Sequence, residues 1–120
     1  MTRTILLAED EAFLKETIQL ELEEHDVRVL TAMNGDEAIA EIESAQPDLL
    51  LLDLLMPKKD GYAVLQHIRE KGYTFPIIIL SNLSNEIDRD KCLALGARDY
   101  FIKSDMDEDE LWPKILRYLS

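Results

Sequence analysis

Residues 48–57 read Asp48-Leu49-Leu50-Leu51-Leu52-Asp53-Leu54-Leu55-Met56-Pro57, and the leucine run between two aspartates decides the fold. An apolar run of strand length with no alternation has no polar face to give to solvent. It belongs to a strand covered on both sides, as in a parallel sheet packed between helices. Ile5-Leu6-Leu7-Ala8 and Ile77-Ile78-Ile79-Leu80 have the same character. Val27-Arg28-Val29-Leu30 and Tyr100-Phe101-Ile102 are more mixed, which suits strands nearer the sheet edges.

The stretches between these runs carry helical spacing. Over 11–24, Leu14, Ile18 and Leu22 recur every four residues while Glu16, Glu21, Glu23 and Glu24 take other faces. Over 35–45, Ala38, Ile39, Ile42 and Ala45 form one stripe, with Asn34 or Gly35 at its start and Pro47 just beyond its end. A third helix is expected after Asp60-Gly61, using Val64, Leu65 and Ile68 and stopping near Gly72. A fourth is expected over 84–95, with Ser84 as N-cap, Ile87, Leu93 and Ala94 inward and Gly96 as its stop. The fifth, about 107–119, has Leu111, Ile115, Leu116 and Leu119, acidic residues Asp107 to Glu110 at its positive end, and Trp112-Pro113 in its first turns. Strand and helix therefore alternate five times, which predicts an α/β fold: an open, doubly wound parallel sheet with helices on both faces and right-handed crossovers.

The chain has 120 residues, the size of one domain, so 1–120 is read as a single unit that must hold the whole function. With 13 Lys+Arg against 25 Asp+Glu, the net charge of -12 argues against direct contact with nucleic acid, whose phosphates call for basic side chains. Hydrophobic residues make up 47% of the chain, but the apolar runs are too short to span a bilayer, and no membrane role is expected. A lone cysteine, Cys92, cannot form an internal disulfide, and Met1-Thr2-Arg3-Thr4 leads into the first strand without a small-residue cleavage site; the expected compartment is the cytoplasm.

In open sheets of this kind, sites lie at the carboxyl ends of the strands. Glu9, Asp10 and Glu11 follow the first strand, Asp53 ends the third, Ser81-Asn82 the fourth and Lys103-Ser104 the fifth. Glu11 reads best as a helix cap. Carboxylates crowded at one rim raise one another's proton affinity unless a cation offsets them. Lys103 balances only part of the charge of Glu9, Asp10 and Asp53, and a divalent ion would neutralise the remainder. An all-oxygen donor set suits Mg²⁺ better than zinc, and His25 and His67 lack metal-ligand spacing.

These residues resemble the receiver domains of two-component response regulators. The resemblance rests on Ile5-Leu-Leu-Ala-Glu-Asp-Glu11, Asp48 to Pro57 followed by Asp60-Gly61, Ile78-Ile-Leu-Ser81, and Gly96-Ala-Arg-Asp-Tyr100-Phe-Ile-Lys103, and it covers essentially the whole chain. It implies a flavodoxin-like five-stranded sheet of order 2-1-3-4-5. It further implies a phosphorylated signalling domain rather than an enzyme, taking a phosphoryl group from a sensor histidine kinase or phosphotransfer protein onto Asp53. By the same resemblance, Glu9, Asp10, Asp53 and the backbone carbonyl of Leu55 bind Mg²⁺, Lys103 and Ser81 contact the phosphoryl oxygens, and Ser81 and Tyr100 act as the switch. For Tyr100, a half-buried strand aromatic without such a role is the competing reading. The signal would leave through the face of the fourth helix, fifth strand and fifth helix, where Lys91, Arg98, Trp112 and Arg117 stand, toward an unidentified target protein or a phosphorylation-dependent homodimer.

The chain departs from the family pattern at several positions. Asn82 stands where a small residue is common, and Ser104 where proline, often in a cis bond, is common; Ser104 carries no such preference, which leaves the course of 103–107 open. Leu55 and Leu83 occupy positions where polar side chains orient water in fast-dephosphorylating members, so a long-lived phosphoryl state is expected. A phosphatase of the haloacid dehalogenase type would need an aspartate where Leu55 stands, and a flavin carrier would be repelled by Glu9-Asp10-Glu11. The rival that remains is a pseudo-receiver, an interaction module that takes no phosphate. The chain could be a stand-alone receiver, or Leu119-Ser120 could end where a linker begins.

Overall fold

The computed structural model describes residues 2–83, 85–105 and 108–119. Strands β1 (Arg3–Ala8), β2 (Val27–Ala32), β3 (Leu49–Asp53), β4 (Ile77–Ser81) and β5 (Asp99–Ile102) alternate with helices α1 (Ala12–Glu23), α2 (Gly35–Ala45), α3 (Gly61–Lys71), α4 (Glu86–Ala94) and α5 (Glu108–Leu116). A 3₁₀ turn over Lys103–Asp105 follows β5, and the described residues contain no cis peptide bond. All strand pairs are parallel and their order is β2-β1-β3-β4-β5, the flavodoxin-like arrangement that the family resemblance implies.

The leucine run explains why β3 lies at the centre. Its side chains alternate between two cores. Leu50 and Leu52 join Leu6, Ile77 and Ile79 against Ile42, Val64, Leu65 and Ile68 of α2 and α3. Leu49 and Leu51 join Ile5, Leu7, Ile78 and Leu80 against Ile18 and Leu22 of α1 and Leu111 and Ile115 of α5. Every residue of β3 and β4 is buried. Full burial of a leucine is worth roughly 1.5–3 kcal/mol, so the run holds β3 at one depth and one register and thereby fixes where Asp53 emerges. The mixed runs of β2 and β5 are at the two edges, as their composition requires.

Polar side chains set the helix starts. Glu11 caps α1 by accepting from the backbone N–H groups of Phe13 and Leu14, Asn34 caps α2 through Glu37, and Asp60 caps α3 through Ala63. At the end of α3, Gly72 takes a left-handed φ of 76°, which glycine adopts without a steric penalty.

Two helices differ from the sequence-based expectation. In α4 the cap is Asn85, whose side chain accepts from Asp88 N–H; Ser84 lies outside the described residues. Ile87, Leu93 and Ala94 are exposed rather than inward, Ile87 by 79%. The inward stripe is instead Asp88, Cys92 and Leu95, at i, i+4 and i+7, and Cys92 is the buried residue of the helix. In α5 the regular helix ends at Leu116, which faces solvent, while Leu119 is still buried beyond it. Pro113 lies inside α5, where it forgoes one helical hydrogen bond. Asp107 lies outside the described residues.

Candidate functional site

The parallel register brings the carboxyl ends of four strands to one rim. Asp53 pairs with Leu80, so β4 ends one residue beyond β3 at Ser81; Ser81 pairs with Ile102, so β5 ends level with β4 and Lys103 follows it. Glu9 directly follows β1, and its backbone N–H donates to Ala32 C=O at 2.9 Å, closing the rim toward β2. Asp53 is the last residue of β3, only 4% exposed, and its Oδ1 accepts from Leu55 N–H at 3.2 Å. Ser81 is the last residue of β4, fully buried, with its Oγ accepting from Leu83 N–H at 3.1 Å. Asp10 is half-buried, and the Leu55 side chain points to solvent.

Lys103 reaches back from the end of β5 into this group. Its ammonium contacts Glu9 Oε1 and lies 3.1 Å from Asp53 Oδ2. Sequence reasoning gives Lys103 only as a partial offset to the charge of Glu9, Asp10 and Asp53; that it touches Glu9 as well as Asp53 depends on how deeply β1 carries Glu9 into the protein. Carboxylate oxygens of Glu9, Asp10 and Asp53 lie within 4.8 Å of one another.

The charges perturb one another strongly. Burial pushes the Glu9 carboxyl up to about 7, and the neighbouring Asp53 adds to the effect, while Lys103 offsets only part of it. Burial alone would lower the pKa of Lys103, yet Glu9 and Asp53 together more than reverse this and hold it above the ordinary lysine value. Glu9 is fully buried, and its Oε1 meets the same Lys103 ammonium that also faces Asp53. Two buried carboxylates that share one ammonium are costly unless a further cation meets them.

The clustered carboxylates, all-oxygen and balanced by one ammonium, together with the partly open side at Asp10, fit a hard divalent cation with oxygen ligands and retained waters. They do not fit zinc. Both histidines are occupied elsewhere: His25 stacks on Trp112 with ring centroids 4.0 Å apart, and His67 lies 2.7 Å from Glu43.

Two supports of the site carry only faint sequence signals. A Cβ on Gly61 would come within 2.6 Å of Asp53 C=O and 2.7 Å of Leu54 Cα, both backbone atoms that cannot give way. Glycine is therefore needed for α3 to start against the loop after Asp53, and Gly61 N–H donates to Leu54 C=O at 2.9 Å. The Asp60-Gly61 pair thus combines a cap with a close backbone approach. Tyr100 is buried, and its hydroxyl donates to Leu83 C=O at 2.6 Å, so Ser81 and Tyr100 hold the two sides of the same residue. A groove of about 510 Å³ lined by Arg3, Asp48, Tyr73 and Arg98 lies at the amino ends of the strands, the end where sheets of this type do not place their sites.

Comparison with known proteins agrees with this geometry. The family described as response regulator receiver domain matches residues 5–115. The alkaline phosphatase synthesis transcriptional regulatory protein PhoP of Bacillus subtilis is 38% identical over 103 residues, which are 86% of this chain and 43% of that protein. The receiver domain of the Francisella response regulator 1452 has a TM-score of 0.91 at 28% identity, covering 98% of this chain and 97% of that one. The BeF3-activated N-terminal receiver domain of Klebsiella pneumoniae RstA has a TM-score of 0.89 at 30% identity, covering 97% of each chain. The chain spans less than half the length of the curated relatives it matches. Those relatives are named as transcriptional regulators, so the expectation of no direct nucleic-acid contact is not borne out. Among the described residues, no helix is long and apolar enough to cross a membrane.

The raised pKa of Glu9 sets a pH dependence in chelator-treated protein. Folded Glu9 holds its proton up to about 7, whereas unfolded it releases the proton near 4.5. The folded state therefore binds more protons across that window, and stability falls as the pH rises through it. Glu9→Gln removes this contribution. In urea unfolding, the variant should gain on the unmodified protein from about pH 4.5 to about pH 7; a difference that does not vary with pH contradicts the assignment.

Proposed function

The chain belongs to the response regulator receiver family, and from that membership we propose that Asp53 accepts a phosphoryl group from a phosphohistidine on a sensor kinase or phosphotransfer protein. The observation that carries this reading is the buried Asp53 carboxylate, set beside Glu9, Asp10 and Lys103 at the rim of the sheet. An oxygen of Asp53 attacks phosphorus. The O–P bond forms as the donor's N–P bond breaks, and the electron pair returns to the imidazole. Glu9, Asp10, Asp53 and the Leu55 carbonyl would hold Mg²⁺, which when bound neutralises charge on the phosphoryl oxygens.

The remaining roles fall to this chain's own side chains. Lys103 pairs with Asp53 before transfer and with a phosphoryl oxygen afterwards. Ser81 turns its hydroxyl from Leu83 N–H toward another phosphoryl oxygen, and Tyr100, which holds Leu83 from the carbonyl side, follows the segment that Ser81 releases. An acyl phosphate adds roughly one negative charge and three acceptor oxygens where a carboxylate stood, enough to bias such a pair of arrangements. Residues 1–120 act as one receiver domain of this kind. The response leaves by the face of α4, β5 and α5, where Ile87, Lys91, Arg98 and Arg117 are exposed, toward a target protein or a second copy of the chain; Trp112 stacks on His25 past the end of α1 instead of facing that surface.

Acetyl phosphate with Mg²⁺ should give a phosphoryl adduct by intact mass that Asp53→Asn abolishes; absence of an adduct under every condition would instead identify a pseudo-receiver. Leu55 and Leu83 carry no polar group with which to orient an attacking water. Phosphate release should accordingly be slow and should accelerate about tenfold or more in Leu55→Asn, in line with the usual worth of a positioned polar group in water attack. Fast release unchanged by the substitution contradicts this.

A further inference from the structure

Helix α4 is attached weakly through its apolar residues and strongly through its polar ones. It buries only Cys92, while Ile87 and Leu93 face solvent. On its first turns, Asp88 accepts a hydrogen bond from the hydroxyl of Tyr62 and a second one, at 2.7 Å, from Asn85 Nδ2. One turn later, the Lys91 ammonium lies 4.3 Å from the centroid of the Tyr62 ring. Tyr62 is thus gripped by α4 at its hydroxyl and on its face. The proton stays on the phenol, because burial and Asp88 raise Tyr62 above its ordinary value while the hydroxyl lowers Asp88.

Tyr62 itself cannot follow α4. It is the residue after Gly61, whose N–H is bonded to Leu54 C=O and whose Cα packs against the Asp53 backbone, so its position is fixed by the end of β3. The segment before α4, by contrast, is held at Leu83, whose N–H donates to Ser81 Oγ and whose C=O accepts from the Tyr100 hydroxyl, three residues ahead of the helix in the sequence. A rearrangement that draws Ser81 Oγ away from Leu83 N–H therefore acts on the stretch of sequence leading into a helix that Tyr62 holds through Asp88.

We infer that Tyr62 is a positioning residue that, through Asp88, sets the free-energy difference between two placements of α4 and so the readiness of the site to take a phosphoryl group. The inference rests on the receiver reading of Asp53. Loosening the clamp lowers the cost of the placement that the phosphoryl group selects, so affinity for a phosphoryl mimic rises as the clamp weakens. A residue that merely supports the fold would act in the opposite direction, lowering stability and affinity together.

The test compares the unmodified chain with Tyr62→Phe, which keeps the ring and its contact with Lys91, with Asp88→Ala and with the double variant. Amide hydrogen exchange over 86–94 is measured without ligand, and beryllofluoride binding with Mg²⁺. Both single variants should exchange faster in α4, on the order of tenfold for loss of a hydrogen bond to a charged group. They should also bind beryllofluoride several-fold more tightly, and Tyr62→Phe should add nothing in the Asp88→Ala background. Unchanged exchange, additive effects, or binding that is weaker or unchanged despite faster exchange overturns the inference. If the unmodified chain binds no beryllofluoride while the variants still exchange faster, the receiver reading fails, and the coupling fails with it although the clamp exists.

Discussion

A lysine ammonium held between two buried carboxylates is the constraint on which the rest of this molecule depends. Removing Lys103 would take from Glu9 and Asp53 the one ammonium that both of them contact in a poorly solvated rim. The arrangement is consequently short of positive charge by design of its sequence positions: three carboxylates meet one ammonium. Such a site is ready for a cation and for an anionic group bound through it.

The sheet keeps this unfavourable cluster together. Leu49 to Leu52 are completely buried on alternating faces and are bounded by Asp48 and Asp53, so a shift of β3 along its neighbours would carry a carboxylate into the apolar interior of the sheet. With β3 fixed and β1 and β4 paired to it in register, Glu9, Asp53 and Ser81 have no freedom to move apart. Hydrophobic burial distributed over the strands therefore offsets electrostatic cost concentrated at their ends, the usual relation between a stable scaffold and a strained site.

The sheet and the site were legible in the sequence for the same reason: both follow from periodicity and from strand ends. An unalternating run such as Leu49–Leu52 has one sensible environment, and residues ending such runs must gather at one rim. Helix α4 was less legible. Its apolar residues Ile87, Leu93 and Ala94 suggested an inward stripe, but its packing is governed by Cys92 and by polar contacts of Asp88, which hydrophobic patterning does not register. The contact of Lys103 with Glu9 and the clearance at Gly61 were equally hidden, since both depend on distances of a few ångströms between segments far apart in the chain. Sequence patterns report which side chains share a face; they do not report which of two carboxylates a lysine touches first.

Calorimetric titration with Mg²⁺ tests the central claim most directly, because it asks whether the uncompensated carboxylates act as one cation site before any phosphoryl chemistry begins. Saturable binding of one Mg²⁺ per chain, lost in Asp10→Asn and in Asp53→Asn while both variants remain folded, is the result this account predicts. No saturable binding, or binding that survives both substitutions, would contradict it.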